Sequence, residues 1–289
     1  MLYYFDETAD QGYVDKTSSL DEYGILAGWA FPDHRKASFE ELFSPVLSQL
    51  QLLGYKKLHC TEIFKGDNNL AVKDKLYDLL LQLDEYVIIH EGAYPLGVKQ
   101  QEQIMSNIIQ DNAPTFPEHI KIIRNNERTR LYTTLLQGVI VKLEECARLE
   151  NESEVHMMSD RIDIAIQNES LKLLSYLRTS KHEVVTKAFD TSTKQRIDRS
   201  AEIEFKCSIP SEIEKVKSIS FLEKVEPLSF VADFICFELL RHFRRRMKIE
   251  RPVKFQCPEV LEGFPLKHKI GFLTSTYFTD LVYRPSVDG

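Results

Sequence analysis

Paired cysteines, a membrane-length apolar run and internal repeats are all missing from this chain. Its five cysteines, Cys60, Cys146, Cys207, Cys236 and Cys257, are odd in number, far apart and form no C-x-x-C pair. That spacing argues against a zinc ribbon and against a disulfide framework. No stretch approaches the length of a membrane span, and the first residues carry neither a basic n-region nor a long apolar run, so no secretory signal is expected. A reducing cytoplasm is the expected setting. Tryptophan occurs once, and Gly and Pro number 11 each, too few for a collagen, a flexible linker or a disordered tail. Positive charge is not in excess either: 37 Lys and Arg stand against 44 Asp and Glu, a formal net charge of -7. Whole-molecule attraction to nucleic acid or an anionic membrane is therefore not expected. A polyanion site would have to be a local basic patch, or a place where bound cations reverse the sign.

What is present suits one elaborated α/β domain. Of the 289 residues, 43% are hydrophobic, enough for a sizeable core. "MLYYF" is uniformly apolar and β-prone, as in a strand covered on both faces, and "YGILAGWAF" (23–31) is a second such run. The two are adjacent and expected to be antiparallel, joined by a polar loop over 10–21. Helical spacing marks 38–54, with Pro45 kinking or splitting the helix and Gly54 stopping it. Further helices are expected at 71–84, 168–180 and 227–248, and strands at 85–94, 154–160, 182–190 and 201–209, with a short connector at 57–66. A mostly helical insertion covers about 97–150, and the proline-containing segment 251–289 reads as loops with short strands packed on a domain spanning 1–250. Alternating strands and helices imply a mixed sheet flanked by helices.

Three carboxylates stand where apolar residues are expected. Asp6 follows the first buried strand. Asp160 ends the apolar run in "HMMSD". Either one serves as a strand-terminating or helix-capping acid, or as a ligand at the carboxyl ends of strands, where α/β sheets gather ligands. Asp233 is harder to explain locally. Between Leu228 and Leu240 the only other polar residues are Ser229 and Glu238, so the helix is expected to be buried on several sides. An ionised carboxylate there costs several kcal/mol unless it is paired or binds metal. Two strand-end acids and one late helical acid form a set that suits Mg²⁺ or Mn²⁺, which take oxygen ligands. Two such ions can activate water and neutralise the leaving oxygen in phosphodiester cleavage. Glu62, beside His59 in "HCTEIFKG", is the first choice for a fourth acid, with Glu7 and Asp10 as alternatives and Asp163, Asp190 and Asp198 behind them. His59 is the candidate proton carrier, with His242 as a second; a lone histidine is also commonly structural.

At these residues the chain resembles the bacterial family called domain of unknown function 3800. "YYFDETADQG" is similar to the family's opening pattern Y-[IV]-D-E-S-G-[DN]-x-G: Asp6, Glu7, Asp10 and Gly12 match, while Thr8 and Ala9 replace Ser and Gly. "LHCTEIFKG" is similar to its His-x-x-Glu segment and "EVHMMSDRID" to its middle strand ending in Asp. "VEPLSFVADFICFELLRH" is similar to its late helix, with Phe230 where Gln is common. The resemblance spans about residues 1–247. It implies a ribonuclease H-like fold in which Asp6, Glu62, Asp160 and Asp233 hold the metal ions.

"RHFRRRMK" (241–248) sets Arg241, Arg244, Arg245 and Arg246 around Phe243. Arginine forks bind phosphates and aromatic faces stack bases; the same charges also complement a helix C-terminus. The leading expectation is a nuclease using two Mg²⁺ or Mn²⁺ ions on DNA or RNA. The alternative is a non-catalytic binding or scaffold protein of a defence or mobile-element system on the same fold.

Overall fold

The computed structural model describes residues 1–9, 22–100, 103, 119–122, 130–160, 162–179, 181–204, 213–250 and 253–271. A five-stranded mixed sheet organises them. Strand β1 (Leu2–Ala9) pairs antiparallel with β2 (Gly24–Phe31), which pairs antiparallel with β3 (Val87–Ala93). On its other side β1 pairs in parallel with β5 (Val155–Ser159), and β5 in parallel with β8 (Val216–Phe221). The order is β3-β2-β1-β5-β8. The short strand β4 (Ile120–Ile122) joins β6 (Lys181–Asp190) and β7 (Gln195–Glu204) in a separate antiparallel sheet.

Alternation along β1 divides the core. Tyr3 and Phe5 enter the apolar cluster under helix α4 (Leu131–Leu149), which helix α5 (Ile164–Leu177) extends. Tyr4 enters the cluster under α6 (Pro227–Arg246), together with α1 (Lys36–Leu52) and α3 (Leu70–Gln82). The segment 253–271 belongs to this second cluster through Val253, Phe255, Val260, Leu261, Phe264 and Leu266. It also adds a parallel bridge from Ile270 to Ile88 on β3.

Several expectations need correction. Of the two readings at Pro45, the split into two helices is excluded, since Pro45 lies inside one 17-residue helix; Gly54 does mark its end, with φ 90°. The connector 57–66 contains a one-turn helix, α2 (Cys60–Ile63). Within the expected helical insertion, β4 is a strand and α4 a helix. The expected loop over 10–21 lies outside the described residues. Strand β8 was not anticipated: "VKSISF" is short and polar at half its positions, because it is an edge strand with little apolar surface to signal it. Among the described residues no helix is long and apolar enough to cross a membrane.

Candidate functional site

Helix α6 begins with a capping arrangement: the Glu226 side chain receives the Ser229 N–H, the Ser229 hydroxyl receives the Glu226 N–H, and Pro227 occupies the first turn. The Trp29 indole N–H donates to the Leu228 carbonyl at 3.2 Å and fixes this end on β2. From there α6 crosses the strands. Its inward strip is Ser229, Asp233, Cys236, Leu240 and Phe243, spaced by three and four residues as one helical face requires. Ser229 meets Asp160 beyond β5, and Asp233 meets Asp6 on β1. The Cys236 thiol donates to the Asp6 carbonyl at 3.3 Å and lies 3.9 Å from that of Ile25 on β2. The Phe243 ring is 5.8 Å from that of His90 on β3.

Asp6 does not end its strand, as the sequence suggests. Pairing of β1 with β5 stops at Phe5↔Ser159, whereas pairing with β2 continues through Asp6↔Ala27 to Ala9↔Gly24. Asp6 is thus the first residue at which β1 lacks its β5 neighbour, and Asp160 is the corresponding residue past the end of β5. Neighbouring strands lie about 4.8 Å apart, so the two aspartates leave the sheet side by side. Asp6 shares the Tyr4 face and points toward α6.

The third acid completes the corner. Asp233 is 8% exposed, and its Oδ2 accepts the Cys60 N–H at 2.9 Å. The entry into α2 therefore supplies a fixed backbone donor from 173 residues away. The Asp6 and Asp233 carboxyls act directly on each other, and two carboxylates held this close disfavour simultaneous ionisation. Desolvation pushes the Asp6 pKa well above the usual carboxylate range, and the charges of Glu7, Asp233 and Asp160 push it further. Desolvation also raises Asp233, against the Cys60 N–H and His59. Asp160 is raised for the same first reason, opposed by the Ser229 hydroxyl and by His59. One Asp160 oxygen, Oδ1, is buried without a hydrogen-bond partner. Two buried thiols, Cys60 and Cys236, border the acids, and burial followed by the aspartate charges holds both in the protonated form.

Asp6, Asp160, Asp233 and His59 are therefore brought together. Glu62 is not: it is solvent-exposed on α2, and the strongest charges acting on the three aspartates do not include it. Glu7 alternates to the opposite face, where its charge acts on the buried Tyr132 of α4, although it also adds to the field at Asp6. Asp10 and the side chain of Asp198 lie outside the described residues. Asp163 caps α5 by accepting the Ala165 N–H at 2.7 Å, and Asp190 accepts the Ser192 N–H and hydroxyl in the β6–β7 turn; both are structural. His242 donates from Nε2 to the Val260 carbonyl at 2.7 Å and is buried, which removes it as a proton carrier for the acids.

The arginines do not adjoin the acids. At 1.5 Å per residue they start about 12 Å and end about 20 Å along α6 from Asp233. Arg241 pairs with Glu238 at 3.3 Å and covers the Phe237 ring. Arg246 pairs with Glu250 at 3.8 Å. Arg244 and Arg245 are exposed.

The three carboxylates offer oxygen atoms, one of them the unpartnered Oδ1 of Asp160, and the bordering Cys60 and Cys236 stay protonated, a combination suited to a hard cation. Among the described residues no three His, Cys, Asp or Glu side chains are already arranged as a coordination shell. No family model, curated protein or solved structure matches the chain, so the reading of this corner rests on its own geometry.

Proposed function

We propose that the chain is a divalent-metal-dependent phosphodiester hydrolase, a nuclease, built on a ribonuclease H-like fold. The observation that carries this reading is the meeting of half-buried Asp6 and Asp160 with buried Asp233, drawn from two parallel strands and one helix. The mixed sheet agrees with the architecture implied by the resemblance to domain of unknown function 3800. Three acids held together with raised pKa values are a poor way to stabilise a fold and a good way to hold a doubly charged cation.

Asp6, Asp160 and Asp233 would hold Mg²⁺ or Mn²⁺, with Asp6 central because it contacts Asp233 and lies beside Asp160. When bound, the ions supply Lewis-acid activation of water and charge neutralisation at the leaving oxygen. The chain's own groups set the rest. The Cys60 N–H fixes one Asp233 oxygen, leaving the other toward Asp6. The Ser229 hydroxyl, which donates to the Glu226 carbonyl at 3.1 Å, stands beside Asp160. His59, exposed at the mouth of the corner, is placed to take or return a proton. Glu62 lies two residues beyond Cys60 and reaches the acids only if α2 turns. Arg244 and Arg245 suit contact with the nucleic-acid backbone at the far end of α6.

Asp6→Asn keeps the shape of the corner and removes a charge. Cleavage of DNA, RNA or hybrid substrates with Mn²⁺ should fall by at least a hundredfold while the circular-dichroism spectrum is unchanged; an undiminished rate ends the assignment. The alternative, a non-catalytic binding or scaffold protein on this fold, is favoured by one observation: Glu62 faces solvent, which leaves three acids where four are expected. Calorimetric titration with Mn²⁺ separates the two. Saturable binding by the wild type that is lost in Asp233→Asn supports the hydrolase, and no binding supports the scaffold.

A further inference from the structure

The last polar residue of α6 that stands among apolar neighbours, Glu238, is only 7% exposed at its side chain. Both of its oxygens are engaged. Oε1 accepts Lys73 Nζ at 2.8 Å and Arg241 Nη1 at 3.3 Å; Oε2 accepts the Tyr77 hydroxyl at 2.7 Å. This buried carboxylate fixes two cations at one wall of a pocket of about 150 Å³ between α3, α6 and residues 263–265. Arg245, one helical turn beyond Arg241, completes the wall. Its side chain makes no hydrogen bond or ion pair with any described residue, unlike those of Lys73 and Arg241. Burial keeps His242, also on this wall, toward its neutral form, and the Arg246 and Arg245 charges act the same way. Phe264 and Pro265 close the far side.

Charge and size point to one kind of ligand. Lys73, Arg241 and Arg245 carry three positive charges and Glu238 one negative charge, leaving two positive charges facing the pocket. Its volume is about half the lower bound of ordinary small-molecule sites, roughly 300–1,000 Å³, so it suits a single tetrahedral anion and not a nucleoside. Guanidinium groups present paired donors that match phosphate oxygens. We infer that this pocket is a phosphate-binding site, with Arg245 as the principal donor and Lys73 and Arg241 as cations pre-set by Glu238. It lies about 12–18 Å along α6 from Asp233, and it stands whether or not the aspartates hydrolyse anything. The phosphate is either a free ion or the terminal phosphate of an oligonucleotide.

Calorimetry on the full chain in EDTA, which prevents any cleavage, tests both sources. The probes are inorganic phosphate, a 5′-phosphorylated trinucleotide and its unphosphorylated counterpart. Saturable binding of phosphate or of the phosphorylated trinucleotide is expected, with the unphosphorylated one at least tenfold weaker; whichever probe binds more tightly identifies the source. Arg245→Ala, at an exposed position whose side chain has no partner among the described residues, should weaken that binding at least tenfold with an unchanged melting temperature. Lys248→Ala removes a nearby exposed cation that does not line the pocket and should have no effect. The site is overturned if neither phosphate-bearing probe binds, if the trinucleotides bind equally, or if the two variants weaken binding equally, since that is the behaviour of diffuse surface charge.

Discussion

At Asp6 the direction of the pKa shift fixes the sign of a pH effect. Asp6, Asp160 and Asp233 all bind protons more tightly in the folded than in the unfolded chain. Their contribution therefore favours folding near the ordinary carboxylate pKa of about 4, and it declines as pH rises through the shifted values. In EDTA, Asp6→Asn should melt a few degrees above the wild type at pH 8 and show a smaller difference at pH 4. Reading the difference between the two proteins cancels the other titrating groups. A variant less stable than the wild type by the same margin at both pH values would show that the acids do not repel one another. These three residues were legible because each interrupts or ends an apolar run, so chain order alone marks the conflict with burial. Glu62 is marked only by its neighbours His59 and Gly66, and no spacing rule reveals that a one-turn helix directs it to solvent. The Cys60 N–H and the Cys236 thiol could not be read at all, since backbone donors and partners 173 or more residues away leave no local pattern.

At the scale of elements, β3 holds together two parts distant in sequence. His90 accepts burial as a neutral ring: desolvation first, then the Lys142 charge, lower its pKa to about 3 against the hydrogen bond at 2.8 Å with the Phe255 carbonyl. A lowered histidine pKa stabilises the fold fully above about 6.5, and that stability is lost as pH falls toward 3, at roughly 1.4 kcal/mol per pH unit. Segment 253–271 should therefore loosen first in acid. Amide exchange measured at pH 5 and pH 7, corrected for intrinsic rates, should show lower protection there at pH 5, and equal protection would contradict the role given to His90. On the opposite face Glu91 pairs with Lys142 at 2.9 Å in nearly complete burial. Lys142→Met removes this buried ion pair and should destabilise the chain by roughly 3–5 kcal/mol in urea unfolding. Gly138 packs so closely that a Cβ would lie 2.6 Å from the Glu91 carboxylate, so alanine there should also destabilise. Helix α6 was legible as a long, mostly apolar helical stretch, and strands β1 to β3 as apolar, β-prone runs. Strand β8 was not, because an edge position needs few apolar residues, and Pro45 left one helix or two open because a proline can remain in a helix that is packed along its length.

For the whole molecule, one sheet separates two apolar clusters and the three acids sit where its carboxyl edge meets α6. If these acids bind Mn²⁺, the ion should raise the melting temperature. At a hundred times the dissociation constant the gain is about 2.7 kcal/mol, or about 4–5 °C for a chain larger than those scaled at 2–4 °C per kcal/mol. Asp233→Asn should remove the shift; an equal shift in that variant would place the ion elsewhere. The helix that bridges the strands also sets a timetable. Asp233 follows Asp160 by 73 residues, which a ribosome adding about 5–20 residues per second takes roughly 4–15 s to synthesise. Throughout that interval the nascent chain holds Asp6 and Asp160 but not the third carboxylate, so the corner is completed only after translation has passed α6.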